Sequence, residues 1–118
     1  MEVFKIEGGT RLKGEVIPQG AKNEALQILC AVLLTPEKIT INNIPDIIDI
    51  NKLIKLLWNL GVKIEKLGHG SYTFQCDEVN VGYLETEAFK KEGGALRGSI
   101  MIVGPLLARF GKGYIPKP

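Results

Sequence analysis

The sequence predicts an α/β (α+β) chain in which helices pack against one face of a small sheet. Three observations point there. Apolar residues recur at helical spacing in windows near residues 21–34, 50–60 and 96–110. Between these windows lie short runs that alternate apolar and polar residues, as in Lys38-Ile39-Thr40-Ile41-Asn42. Glycine or proline marks nearly every junction. With 118 residues and 45% hydrophobic content, the chain is long enough for one α/β unit with a real core.

Taken in order, Val3 to Glu7 alternates and stops at Gly8-Gly9, and Leu12 to Ile17 alternates less cleanly and stops at Pro18. These read as two strands joined by a glycine turn. From Ala21 to about Leu34 the positions Ala25, Leu26, Leu29, Cys30 and Leu33 keep helical spacing. Ile28 and Val32 widen that stripe, which predicts a helix buried on most sides, and Pro36 closes it. Lys38 to Asn42 is a strand, and Asn43-Ile44-Pro45-Asp46 is a turn. Asp49 is the expected N-cap of a helix over about Ile50 to Leu60, with Gly61 as its stop. Val62 to Glu65 and Tyr72 to Cys76 predict a hairpin around Gly68-His69-Gly70, and Val79-Asn80-Val81 is a candidate edge strand. A third helix is expected from about Leu96 to Phe110, followed by a strand at Tyr114-Ile115. The order is therefore β-β-α-β-α-β-β-(β)-α-β, and the last strand, halting at Pro118, reads as cut short.

A net charge of +2 suits an anionic ligand such as a phosphate but is too weak for a nucleic-acid-binding face. The opening Met1-Glu2-Val3-Phe4-Lys5-Ile6-Glu7 is charged and has no signal-peptide character. The longest apolar stretch, Ala25 to Leu34, is about half of what a membrane span needs. Cys30 and Cys76 have no neighbours at metal-ligand spacing, and Cys30 reads as a small core residue. A cytoplasmic protein without membrane attachment is the expectation.

Two segments carry chemistry. In Gln19-Gly20-Ala21-Lys22-Asn23-Glu24, a glycine at a strand–helix junction turns the backbone so that the free N–H groups of the first helical turn face outward. Lys22 and the Asn23 amide complete a cradle for phosphate or carboxylate. In Gly93-Gly94-Ala95-Leu96-Arg97-Gly98-Ser99, a glycine pair leads into a helix whose first turn carries an arginine suited to bidentate anion contacts. On spacing alone, both patterns are also those of solvated surface cations. Arg109 and Lys112 read as partners of a helix C-terminus, Asp46 and Asp49 as turn and cap residues, and His69, the only histidine, as a turn residue.

Taken together, these segments resemble one family. Gly8-Gly9-Thr10-Arg11-Leu12-Lys13-Gly14-Glu15-Val16, then Gly20-Ala21-Lys22-Asn23-Glu24-Ala25-Leu26, is similar to the opening of the enolpyruvyl transferases (carboxyvinyltransferases) that act on UDP-N-acetylglucosamine. Asn43-Ile44-Pro45-Asp46-Ile47-Ile48-Asp49 resembles their N-x-P-x-x-x-D turn. Leu96-Arg97-Gly98-Ser99-Ile100, with Gly104-Pro105-Leu106-Leu107-Ala108-Arg109-Phe110-Gly111, resembles a third characteristic stretch. The match runs in register along essentially the whole chain.

The resemblance implies transfer of the enolpyruvyl group of phosphoenolpyruvate to the 3′-hydroxyl of UDP-N-acetylglucosamine, with release of phosphate. That is the first committed step of peptidoglycan precursor synthesis. It implies addition–elimination through a tetrahedral ketal, with no metal and no organic cofactor. By the same resemblance Lys22 and Asn23 bind phosphoenolpyruvate and Arg97 contacts the sugar nucleotide, while no catalytic residue lies within the chain. The family's loop Cys or Asp would follow Pro118, and neither Cys30 nor Cys76 occupies that position. The implied fold is an inside-out α/β barrel of βαβαββ units, incomplete in this chain. Residues 1–21 would be strands of the C-terminal domain and 22–118 the first part of the N-terminal domain. On this reading the rest of the enzyme is needed to complete the fold, and the 118-residue polypeptide by itself is inactive and prone to associate.

Three other readings compete. The shikimate-pathway enolpyruvyl transferases share fold and chemistry, but they usually carry Lys-Ser where this chain has Lys22-Asn23. An RNA-binding or ligand-binding α/β module would need basic residues interleaved with exposed aromatics on one sheet face, and Phe4, Tyr72, Phe74 and Tyr83 are scattered. A non-catalytic remnant kept for binding is the third.

Overall fold

The computed structural model describes residues 2–114, apart from the side chains of Arg97, Gly98 and Ser99. Residues 22–31 form helix α1 (Lys22–Ala31), which tightens into a 3-10 turn over Val32–Leu34 before Pro36. Strand β1 (Ile39–Ile41) follows, then helix α2 (Ile48–Leu60), strand β2 (Lys63–Gly68) and strand β3 (Ser71–Gln75). A second 3-10 turn (Val81–Glu85), helix α3 (Glu87–Gly94), a third such turn (Arg97–Ile102) and helix α4 (Val103–Phe110) complete the order. The sheet is antiparallel with strand order β1-β3-β2, in register Ile39↔Phe74 and Ile64↔Phe74. This is the α+β class expected.

The core is built by α2. Ile50, Leu53, Leu56, Leu57 and Leu60 are fully buried, at the spacing that keeps one helical face inward. They meet Leu29, Cys30 and Leu33 from the first helical segment, Phe74 from the sheet, and Phe89, Ile102 and Leu106 from the later helices. Each such leucine contributes roughly 1.5–3 kcal/mol by leaving water. Burial also pushes the Cys30 thiol up to about 12, so it is a packed, un-ionised group.

The end of α2 is a Schellman stop. Gly61 takes φ 107°, its N–H donates to Trp58 O (3.1 Å), and the Val62 N–H donates to Leu57 O (3.1 Å). A side chain there would be strained by the left-handed backbone, although its Cβ would meet Glu78 O at an ordinary 3.4 Å. Gly61→Ala is expected to lower the unfolding free energy by about 1–2 kcal/mol. Urea titration checks it: the midpoint should fall at constant slope.

Several expectations are corrected. Residues 2–20 form no strand, and Val3, Phe4, Ile6, Leu12, Val16 and Ile17 are each more than 80% exposed. Alternation alone makes no strand, because a strand needs a hydrogen-bonded neighbour, and none of the described residues offers one. The first helix is not buried on most sides, since Ile28 is exposed. Residues 79–80 join no sheet, and Val81 opens a 3-10 turn. The expected third helix is split into the 3-10 turn Arg97–Ile102 and α4, while α3 lies where no helix was expected. Gly93-Gly94 therefore closes α3 and does not open the next helix. Of the predicted last strand, Tyr114 is irregular and Ile115 lies outside the described residues.

Candidate functional site

Two helix beginnings meet because three backbone segments touch. Asn43 stands at φ 58°, in the turn before α2. Gly20 presses on that turn so closely that a Cβ there would collide with the Asn43 carbonyl. On the other side the Ile44 N–H donates to Gly70 O (2.9 Å), and a Cβ on Gly70 would lie 3.1 Å from Ile44 O. Small residues on both flanks thus clamp the Asn43-Ile44-Pro45 turn and fix the first turn of α2 beside that of α1.

Across this junction Lys22 Nζ lies 2.7 Å from Asp49 Oδ2. The two side chains are 50% and 38% exposed, so the pair sits at the mouth of a cleft with access to solvent. The hydrogen bond from Lys22 holds the Asp49 carboxyl below its usual range, assisted by the Lys52 charge. Its place in the first turn of α2 adds the helix dipole in the same sense. The first turn of α1 has no side-chain cap, with Ala21 at its head, so its N–H groups have no intrahelical acceptor.

The cleft has a volume of about 480 Å³, the size of a small-molecule site. Lys22, Asn23 and Gln27 enter from α1, Asp49 from α2, and Ile100 and Met101 from the 3-10 turn Arg97–Ile102. An ammonium, an amide and the first-turn helical N–H groups suit an anion, with Ile100 and Met101 forming the apolar side.

Of the residues expected from sequence, Lys22 and Asn23 line the same cleft. The Arg97 backbone begins the turn that forms its far wall, but its side chain lies outside the described residues. Asp49 is not the N-cap of α2: the helix starts at Ile48, two residues before the expected Ile50, Ile47 is the cap position, and Asp49 pairs with Lys22. Asp46 does serve the turn, accepting from Asn51 Nδ2 at 2.9 Å. Arg109 does more than face a helix end. Its guanidinium donates to Leu33 O (3.1 Å) and Asp77 O (3.2 Å), tying α4 to the end of the first helical segment and to the loop after β3. His69 is exposed in its turn.

Behind the site, α3 is held against α2 by a polar cluster. Tyr83 Oη donates to Glu92 Oε2 (2.6 Å), and Asn59 Nδ2 donates to the same oxygen (3.0 Å). Burial, with the Glu92 carboxylate beside it, pushes the Tyr83 phenol up to about 12, so it stays a donor. Among the described residues no group of acidic, histidine or cysteine side chains is placed to hold a metal ion. None of their helices is long and apolar enough to cross a membrane.

A family model described as EPSP synthase (3-phosphoshikimate 1-carboxyvinyltransferase) matches residues 6–116. A UDP-N-acetylglucosamine 1-carboxyvinyltransferase of Bacteroides fragilis is 56% identical over all 118 residues. Relatives of the same name from Porphyromonas gingivalis and Citrobacter koseri are 52% and 42% identical over the whole chain. The chain spans 27% of the length of each of these relatives.

Proposed function

Because the chain belongs to the EPSP synthase family of enolpyruvyl transferases, we propose that it forms the anion-holding part of a UDP-N-acetylglucosamine enolpyruvyl transferase. The substrates are phosphoenolpyruvate and UDP-N-acetylglucosamine, and the reaction opens peptidoglycan precursor synthesis in the cytoplasm. The observation that carries this reading is the convergence of Lys22, Asn23 and the uncapped start of α1 on one cleft.

The chemistry asks for such a wall. As the sugar hydroxyl gives its proton to a base and adds to C2 of phosphoenolpyruvate, and a proton from an acid reaches C3, the substrate keeps its phosphate and carboxylate charges. In the second half, C3 gives up a proton as the C2–O bond to phosphate breaks, so the C2–C3 double bond re-forms and phosphate leaves. Lys22 neutralises that phosphate, the Asn23 amide fixes its orientation, and Arg97 holds the sugar nucleotide. Asp49 keeps the Lys22 amine in the cleft until an anion takes its place. Residues 1–21 are assigned to a second domain, where their exposed apolar positions would find strand partners, and 22–118 to the first part of the N-terminal domain. That assignment accounts for a segment with alternating residues and no sheet.

The acceptor separates this reading from its nearest rival. The family model's description names 3-phosphoshikimate chemistry, whereas relatives at 42–56% identity over the whole chain are named for the sugar nucleotide. A hybrid in which this chain replaces the matching segment of the Bacteroides fragilis relative tests it. Phosphate release from phosphoenolpyruvate should depend on UDP-N-acetylglucosamine, with kcat/KM for shikimate 3-phosphate at least about a hundredfold lower. Equal or reversed preference would overturn the assignment.

A further inference from the structure

On the side of α2 away from the core stands Trp58, the chain's single tryptophan, 59% exposed. It borders two hollows, of about 380 and 340 Å³. The first is floored by Ile54, Ile64 and Tyr72 and rimmed by Lys55 and Lys66. The second is walled by Lys38, Lys63, Glu65, Thr73 and Gln75.

The sheet register explains why there are two. Ile64 and Lys66 pair across β3 with Phe74 and Tyr72, while Lys63 and Glu65 pair with Gln75 and Thr73. Successive residues of a strand point to opposite faces. The first hollow therefore draws its strand side chains from the helix-covered face of the sheet, and the second, which Trp58 and Ile64 also line, wraps the β2 edge onto the other face. In the order β1-β3-β2 this strand is at the edge, so its outer N–H and C=O groups are unpaired within the sheet.

The charge around this edge is one-sided. Four lysines and one carboxylate, Glu65, line the two hollows. Among the described residues only Lys63 of these lysines is in a salt bridge, with Asp77 at 2.9 Å, and Lys66 Nζ lies 5.9 Å from the Tyr72 ring centroid.

We infer that the β2 edge beside Trp58 is a docking site for an extended acidic segment of another protein, one that alternates apolar and acidic residues. Added as a strand, such a segment sends its apolar side chains into the hollow of Ile54, Ile64 and Tyr72. Its carboxylates go to the opposite face, toward Lys38 and Lys63. Backbone pairing supplies attachment, and the two unlike hollows supply the alternation.

Trp58 reports on the site directly. The probe is a blocked hexapeptide, Leu-Glu-Leu-Glu-Leu-Glu, titrated into the hybrid enzyme, with any tryptophan outside this chain replaced by phenylalanine, and followed by tryptophan emission. A saturable blue shift is expected that weakens as salt rises. The peptide with lysine in place of glutamate, and the same composition ordered Leu-Leu-Leu-Glu-Glu-Glu, should each bind at least about tenfold more weakly. Lys38→Glu and Lys66→Glu, both at exposed positions, should each lower affinity several-fold with circular dichroism unchanged. No shift, equal binding of the lysine or block peptide, or a shift that follows chain concentration without peptide would overturn the inference. The last outcome would assign the face to a second copy of the chain.

Discussion

Replacing Lys22 by alanine in the hybrid enzyme is expected to lower kcat/KM for phosphoenolpyruvate by about three orders of magnitude. Removing one charged donor aimed at a reacting phosphate or oxyanion typically costs a hundred- to a thousandfold. Here the loss should stand at the upper end, because the variant also leaves Asp49 facing the incoming anion without its partner, 2.7 Å from where the amine was. A cation is thereby replaced by net repulsion at one place in the cleft. Lys22→Arg restores charge but not position. Its guanidinium is planar and longer, so it should bind phosphoenolpyruvate with near-normal KM while kcat remains at least about tenfold down. Steady-state kinetics with phosphoenolpyruvate as the varied substrate checks both variants. An unchanged kcat/KM in Lys22→Ala would remove the phosphate contact from the proposal.

The contrast between what could and could not be read in advance follows the range of the interactions involved. Helix α2 and the β2–β3 hairpin were legible because their determinants are local. The 3.6-residue stripe, Gly61 and Gly68-His69-Gly70 lie within a few residues of what they specify. The N-terminal alternation was equally local, and there it misled, since a strand exists only through its neighbour. Helix α3 is the converse. With Phe89 its only buried side chain, and two glycines at its end, it shows little helical pattern. It is held by the Thr86 hydroxyl, which accepts from the Phe89 N–H (3.2 Å), and by the Tyr83–Glu92–Asn59 cluster. The Thr86 cap was a readable signal, and the cluster was not.

The site divides the same way. Lys22 and Asn23, which line the cleft, could be singled out because a glycine, a lysine and an amide at a helix start form a contiguous motif. Asp49 was read by a sound local rule, acid before a helix means cap, and the rule gave way to a partner from another helix. No spacing within the chain announces that pairing. It depends on the turn at Asn43 being pressed between Gly20 and Gly70, a contact visible only once the chain is folded.

That dependence gives Asp49 a testable role. In Asp49→Asn, affinity for inorganic phosphate and phosphoenolpyruvate should be unchanged or several-fold tighter, while kcat falls about ten- to a hundredfold. The amide keeps the size of the carboxylate and can still accept a hydrogen bond from Lys22, but it no longer neutralises the amine. Anions are then drawn more strongly, and the amine is held less firmly where the leaving phosphate needs it. Acting through Lys22 also means non-additivity, so Lys22→Ala/Asp49→Asn should be no slower than Lys22→Ala. The pH dependence has a fixed sign. Asp49 has a carboxyl value below the ordinary 3.8, so the ion pair is fully present above that ordinary value. Its contribution is lost as pH falls through the lowered value of the folded state, and the asparagine variant should lack that acid-limb step. A variant that raises KM in parallel with Lys22→Ala, or a double variant that multiplies both losses, would reduce Asp49 to a structural contact.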